Sequence, residues 1–296
     1  MLAMVQVQPH PPIRDAEVRA IFEQQAGRYD QHAVLEREVA ARLLERVNFQ
    51  QREPRRIIDL GCGTGYCAAE LKRRYRKAEV VGLDFALPMC RLAVSKSGFL
   101  RPVRVVCANI SSLPFANRCA DLMVANLSLQ WTADLPALFN GLRQVLRPGG
   151  LLLFSLPGTD SLKELKRATE GAGLAATLRE FPDMHDIGDA LLVSGFRNPV
   201  MDAELITLTY PDMEALLGEL EAQGGGSYCQ DFSILRSHAK ELGAHYPRRA
   251  ESGHWPLGWE IAYGAAFAPE DGQPIRSGGV EVASFSVEAL RKSRRT

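Results

Sequence analysis

The sequence predicts a doubly wound α/β fold, a mostly parallel sheet of seven strands with helices on both faces. Three observations carry this. Between residues 56 and 156, short apolar runs rich in β-branched residues alternate with segments of helical spacing. Strands separated by helices in this way form parallel sheets covered on both sides. The first run, Arg56-Ile57-Ile58-Asp59-Leu60, stops at a turn holding Gly61, Gly63 and Gly65, and the second, Val80-Val81-Gly82-Leu83-Asp84, ends on an acid.

Taken in order, residues 1–13 are rich in Gln and Pro and are expected to be flexible. From Asp15 to Val47, Val18, Ile21, Phe22, Ala26, Leu35, Val39, Leu43 and Val47 fall at helical spacing. They predict two helices broken near Gly27-Arg28-Tyr29-Asp30, with Tyr29 and Asp30 either packing the bend or covering a ligand. The polar stretch from Gln51 leads into a strand at 56–60, then a helix at 64–76, a strand at 79–84 and a helix at 87–96. Strands at 103–107 and 120–126, a helix at 134–147 and a strand at 150–156 complete the core. Beyond it, helices are expected at 160–169 and 184–192, the latter stopped by Gly195, and a strand at 200–208. Pro211 starts a helix that Gly224-Gly225-Gly226 ends after Ala222, and the last strand is expected at 259–267. Past Pro269 the chain is rich in Gly and charge and is expected to fray. The expected organisation is thus a flexible start (1–13), N-terminal helices (14–48), a core (55–156), an insertion with the last strands (157–268) and a disordered tail (269–296).

Lys and Arg total 35, as do Asp and Glu, so formal charge is zero, which disfavours a broad nucleic-acid surface. The six cysteines form no CxxC pair and read as small buried hydrophobes in a reducing cytoplasm. The first residues lack a basic and an apolar signal region, and no later stretch is long enough to span a membrane. A cytoplasmic protein without a metal is expected.

The glycine turn carries the chemistry. Glycines accept positive φ and let a ligand approach the main chain, and the following helix offers free N–H groups and a partial positive charge. Asp84, at the tip of the next strand, is placed to bond ribose hydroxyls; Phe85 and Met89 follow it as further cofactor candidates. The module therefore binds a nucleoside-containing cofactor. A dinucleotide fingerprint needs GxGxxG, whereas here Gly65 comes one position early and Asp59 stands just before the loop. A carboxylate facing a pyrophosphate is unfavourable; one facing an ammonium, as on the methionine end of S-adenosylmethionine, is not. Asn109 can accept from an adenine amino group while the Ile110 N–H meets a ring nitrogen, and Asn126 ends the fourth core strand at the cofactor's edge.

Together Ile58-Asp59-Leu60-Gly61-Cys62-Gly63-Thr64-Gly65, Gly82-Leu83-Asp84, Leu113-Pro114-Phe115 and Leu146-Arg147-Pro148-Gly149-Gly150 resemble the Rossmann-like class I methyltransferases that use S-adenosylmethionine. Asn109 replaces the family's usual acid yet keeps an acceptor oxygen. Asn126-Leu127-Ser128-Leu129-Gln130-Trp131, the stretches at 157–165 and 184–191, and Pro199 to Tyr210 resemble more narrowly the BioC family, malonyl-[acyl-carrier protein] O-methyltransferases of biotin synthesis. The resemblance is expected to fade after Gly224, where Ala265 and Phe267 stand at the family's His and Trp places.

It implies methylation of the free carboxylate of a malonyl thioester. That nucleophile is ionised at neutral pH, so no general base is required and the protein's task is alignment. Tyr29 over the methyl group, Gln130 and Trp131 along the acceptor channel, and His185 on the substrate carboxylate or thioester are the candidates for substrate positioning. The cofactor set is Asp59, Gly61, Cys62, Gly63, Gly65, Asp84, Phe85, Met89, Asn109, Ile110 and Asn126. The implied partner is acidic acyl carrier protein, or malonyl-coenzyme A. Lys72-Arg73-Arg74 with Arg76-Lys77, and Lys163 with Lys166 and Arg167, are its candidate docks beside an ordinary solvated role. Two alternatives stay open: a methyltransferase of another small carboxylate or a protein side chain, and a non-catalytic partner protein that binds S-adenosylmethionine.

Overall fold

The computed structural model describes residues 15–49, 53–98, 102–176, 178–229, 231–247, 252–273, 275–277 and 280–282. The N-terminal helices are α1 (Asp15–Gln25), the single turn α2 (Tyr29–His32) and α3 (Val34–Glu45). The core follows as β1 (Arg56–Leu60), α4 (Tyr66–Arg74), β2 (Glu79–Asp84), α5 (Leu87–Lys96), β3 (Arg104–Cys107), β4 (Ala120–Asn126), α6 (Leu135–Val145) and β5 (Leu146–Pro157). Then come α7 (Lys163–Gly171), α8 (Met184–Val193), β6 (Arg197–Tyr210), α9 (Met213–Ala222), α10 (Gly225–Tyr228), α11 (Phe232–Ser237), α12 (Ala239–His245) and β7 (Trp255–Phe267).

These strands form a 7-stranded sheet in the order β3-β2-β1-β4-β5-β7-β6. The pairs from β3 to β5 are parallel, and β7 runs antiparallel between β5 and β6. The switch of strand order lies between β1 and β4, and ligands of such sheets sit beyond the strand ends there. The two-residue period of a strand sorts the core onto two faces. Ile57, Leu122, Val124, Leu151 and Leu153 face α3, α4, α7 and α9. Ile58, Leu60, Met123, Leu152 and Phe154 face α6 and α8. Asp59, in phase with Ile57, is thereby turned toward α3 and α4.

Local chemistry sets the ends. Helix α4 starts at Tyr66 rather than 64 because Gly65 before it is left-handed, with φ +91°. Asp134, Asp183 and Asp212 cap α6, α8 and α9 by accepting the N–H groups of Ala137, His185 and Ala215. Strand β6 is longer than the expected 200–208 because β7 pairs with it from Arg197 to Tyr210. The triple glycine ends α9 but does not end helix: Gly225 starts α10 after Gly224 takes φ +104°. Helices α10 to α12 fill the segment between α9 and β7, for which no element is expected from the sequence.

In the segment expected to fray, β8 (Ile275–Ser277) and β9 (Val280–Val282) pair as an antiparallel ribbon. The expected flexible start, 1–13, and the tail 283–296 lie outside the described residues. Among the described residues no helix is long and apolar enough to cross a membrane.

One glycine is required by packing. Gly264 of β7 lies opposite Phe154 of β5, and a Cβ there would come 2.1 Å from Phe154 Cζ. Gly264→Ala is therefore expected to lower the unfolding free energy by about 1–3 kcal/mol, the usual cost of overpacking. Urea denaturation checks this; an unchanged midpoint would show that the ring has room to shift.

Candidate functional site

The three loop glycines all take positive φ, +66° at Gly61, +52° at Gly63 and +91° at Gly65, but they do different work. A Cβ on Gly61 would meet Ser128 Cβ at 2.4 Å, and one on Gly65 would meet Ala93 Cβ at 3.0 Å. Those two are needed for close packing of the loop on its neighbours. At Gly63 the nearest atom would be Tyr29 Cε1 at 3.8 Å, so its open side faces the cleft. The loop is pinned from several directions. Cys62 N donates to Leu83 O at 2.9 Å, Gly63 N to Asp84 Oδ2 at 2.9 Å, and Ser128 Oγ to Leu60 O at 2.7 Å.

Two buried carboxyls flank the loop. Asp84 accepts from Gly63 N with one oxygen and from Ala86 N with the other; burial raises its pKa to about 6 against these bonds. Asp59 is fully buried, and burial, with Asp84 pushing the same way, raises its pKa to about 7. Its Oδ2 has no hydrogen-bond partner among the described residues.

Beyond the strand ends lie two cavities that share Tyr29, Gly61, Gly63 and Asn126. The larger is a cleft open to solvent, with about 680 Å³ of space including its mouth. Asp84, Phe85, Met89, Asn109 and Ile110 form one wall, Asn126, Leu127, Ser128 and Trp131 the other, and Asp15, Phe22 and Tyr29 cover it. The smaller, about 430 Å³, runs along Asp59 and Cys62 under Asp30, Glu36 and Arg37.

The cover comes from α1 to α3 and is fastened by side chains. Thr64 Oγ1 donates to Asp30 at 2.6 Å, and Lys96 bonds the same carboxylate. Asn109 Nδ2 donates to Asp15 at 2.5 Å, Asn126 Nδ2 donates to Glu36 O at 2.9 Å, and Phe22 meets Trp131 edge-on at 5.6 Å. His32 bonds Glu219 of α9 at 2.7 Å. Asp30 thus fastens the bend and also lines the smaller cavity, and Tyr29 lies over the loop.

Of the candidates read from the sequence, Tyr29, Asp59, Gly61, Cys62, Gly63, Asp84, Phe85, Met89, Asn109, Ile110, Asn126 and Trp131 line one or both cavities. Gly65 does not; it precedes α4. Gln130 is buried one residue before Trp131, its Nε2 donating to Leu127 O at 2.7 Å. His185 is exposed on the first turn of α8, whose buried residues pack on the α6 face of the sheet, and it lines neither cavity. Asn109 Oδ1 already accepts from Ser111 N at 2.8 Å. Sequence reasoning missed Asp15, Phe22, Glu36 and Ser128. Glu36, within Leu35-Glu36-Arg37-Glu38, looks like surface charge, yet burial raises its pKa to about 8 and its Oε2 lacks a partner among the described residues. The two basic clusters are largely committed: Lys72 donates to Ala78 O, Arg73 pairs with Glu70, Arg74 bonds Leu44 O and Asn48, and Lys163 and Lys166 pair with Asp160 and Glu180.

Residues 58–154 match the family described as a methyltransferase domain. Two solved structures share the fold: YcgJ from Bacillus subtilis (TM-score 0.55, 14% identity, 77% of this chain and 98% of that one) and the [4+2]-cyclase SpnF (TM-score 0.52, 20% identity, 77% and 81%). As SpnF's name shows, this fold does not fix the reaction. A malonyl-[acyl-carrier protein] O-methyltransferase from Xylella fastidiosa is 38% identical over 94% of this chain and 96% of its own length. The chain belongs to the malonyl-[acyl-carrier protein] O-methyltransferase family. A relative of the same name from Methylovorus is 38% identical over 87% of this chain and 90% of its own. Coverage this long carries the likeness past Gly224, where the motifs suggested it would fade.

The family member is an S-adenosylmethionine-dependent methyltransferase of the Rossmann-like class I fold, and its site suits that cofactor. The partnerless Asp59 oxygen at the smaller cavity matches a cationic amino-acid end, because a buried carboxylate needs a counter-charge.

The raised Asp59 pKa has a sign that can be checked. Its folded value of about 7 exceeds the unfolded value of about 3.9, so its stabilising proton is held below the lower value and lost as pH rises through the higher. Stability of the cofactor-free protein is expected to fall between about pH 5 and pH 7.5, with Asp84 and Glu36 adding in the same sense. Asp59→Asn should flatten that slope; an unchanged slope in denaturant titrations across the range would contradict the assignment.

Proposed function

We propose that the acceptor is the free carboxylate of a malonyl thioester on acyl carrier protein and the product its methyl ester. The near-full-length likeness to relatives carrying that activity in their name supports this most directly. We place the step early in pimeloyl assembly for biotin, in the cytoplasm, and take residues 14–268 as one methyltransferase unit. Loss of the negative charge lets the chain enter apolar fatty-acid channels, where an anion would bear a heavy desolvation penalty.

In this scheme Asp59 holds the cofactor's ammonium group, Asp84 its ribose hydroxyls, and Asn109 with the Ile110 N–H its adenine. Gly61, Cys62, Gly63 and Asn126 shape the channel between, Phe85 and Met89 wall it, and Gly65 sets the start of α4. When bound, S-adenosylmethionine supplies a methyl group already activated by a sulfonium charge. The chain's part is therefore alignment and exclusion of water rather than proton removal. The lining fits that division, since neither cavity includes a histidine or lysine among the described residues. Tyr29 and Trp131 close the acceptor side, and Gln130 holds the turn that carries Trp131. His185, exposed on α8, is left out of the site.

Asp84 acts twice here, on the ribose and on the Gly63 N–H. Asp84→Ala is expected to weaken S-adenosylmethionine binding by at least about a hundredfold, since charge-assisted bonds each contribute about 1.5–3 kcal/mol. Isothermal titration checks it, and near-normal affinity would remove Asp84 from the site. For the acceptor, the purified protein with labelled S-adenosylmethionine and malonyl-acyl carrier protein should yield a base-labile methyl ester. Binding of the cofactor without transfer to that acceptor would overturn the proposed substrate.

A further inference from the structure

Arg179 occupies a position that the fold alone does not explain. Its backbone N–H donates to Tyr228 O at 2.8 Å, and the adjoining Leu178 bridges to Cys229. A short piece of the insertion after α7 is thus pinned against the end of α10. From there the side chain reaches the turn after β4. Its guanidinium lies 5.5 Å from the centroid of the Trp131 ring, and Nη2 donates to the Gln130 carbonyl. Nη1 is buried and has no partner among the described residues. Among the described residues no carboxylate is its ion-pair partner; the adjacent Glu180 pairs with Lys166. At the same corner the Gln130 side-chain oxygen is also buried without a partner.

A guanidinium does not shed its charge to escape burial. Burial lowers the Arg179 pKa and the Tyr228 hydroxyl offsets it in part, and no carboxylate among the described residues forms an ion pair with it. A buried cation with a free N–H beside a lining residue of the cleft is a site for an anion, and a planar fork suits a carboxylate best. Trp131 connects the two places: it lines the larger cavity with Asn126 and Ser128, and Arg179, which itself lines neither cavity, lies against its ring.

We propose that Arg179 is the anchor for the acceptor's free carboxylate, binding it through the unpartnered Nη1 N–H beside Trp131. This rests on the proposed malonyl thioester acceptor and adds which residue selects it. It also implies an asymmetry between substrate and product. Methyl transfer removes the charge that Arg179 recognises, so the ester should be held less tightly than the acid and leave the site.

The test measures binding of malonyl-acyl carrier protein and of its methyl ester to the full chain with S-adenosylhomocysteine in place of the methyl donor. The wild-type protein is expected to prefer the acid by about tenfold to a hundredfold, as a charge-assisted bond allows. Arg179→Gln should cut that preference to about threefold or less and lower kcat/KM by a similar factor, mainly through KM, while S-adenosylmethionine affinity stays as in the wild type. Arg179→Lys, which keeps the charge without the fork, should retain part of the preference; it also serves as the decisive variant if Arg179→Gln does not fold. A variant that binds the cofactor and keeps the full preference would overturn the anchor while leaving the malonyl acceptor intact. A wild-type protein that binds cofactor but neither binds nor methylates malonyl thioesters would overturn the acceptor and the anchor together.

Discussion

The bond from Gly63 N–H to the Asp84 carboxylate joins the ends of β1 and β2, beside the switch point between β1 and β4. Around it the ligand side of the molecule is assembled. The same carboxylate sets the start of α5 through Ala86 N, and Cys62 N fixes the loop to Leu83 O. Ser128 closes the seam from β4, bonding Leu60 O and filling the space that a side chain on Gly61 would need. Glycine at 61 and 65 lets the loop pack this close to its neighbours, and glycine at 63 leaves a channel above it.

The second feature is where buried polar atoms go unpaired. Native interiors satisfy nearly all such groups; here Glu36, Asp59, Gln130 and Arg179 each keep a buried atom without a partner among the described residues, as do Glu204, Tyr210, Ser227, Trp259 and Tyr263, which line neither cavity. The first four sit on or next to the two cavities. The carboxyls lie at the smaller cavity, where a cationic group is expected, and the guanidinium lies past Trp131, where an anion is expected. The cofactor-free fold thus gives up stability at positions that ligands can restore, and the raised pKa values of Asp59 and Glu36 express the same cost.

The sheet from β1 to β5 could be read in the sequence because strand and helix periods alternate cleanly there, and each loop carries its own chemistry. The Asp59, glycine-loop and Asp84 set was readable for the same reason: short-range spacing places all of it. What spacing does not contain is which distant segment lies over the loop. Asp15 and Phe22 reach the cleft through contacts across about the first third of the chain, and on α1 they are an ordinary polar and an ordinary apolar position. Glu36 is hidden by its charged neighbours, and its burial comes from the packing of α3 on the sheet. Arg179 sits in an irregular stretch whose place is set by a single bridge to Cys229. His185 shows the converse: a motif can be well placed on a helix start and still face away from the chemistry. The longer reach of β6 and the turn at α10 likewise follow from tertiary pairing.

In the proposed scheme the molecule aligns an acceptor that is already ionised, and among the described residues neither cavity is lined by a histidine. The most direct check is the pH dependence of single-turnover methyl transfer to malonyl-acyl carrier protein, with cofactor and acceptor both saturating. Alignment without proton removal predicts a rate constant that changes by less than about twofold between pH 6.5 and pH 9. A rate that climbs about tenfold per pH unit before levelling near pH 7 or 8, where Asp59 and Glu36 would lose protons, would reveal a general base and contradict it.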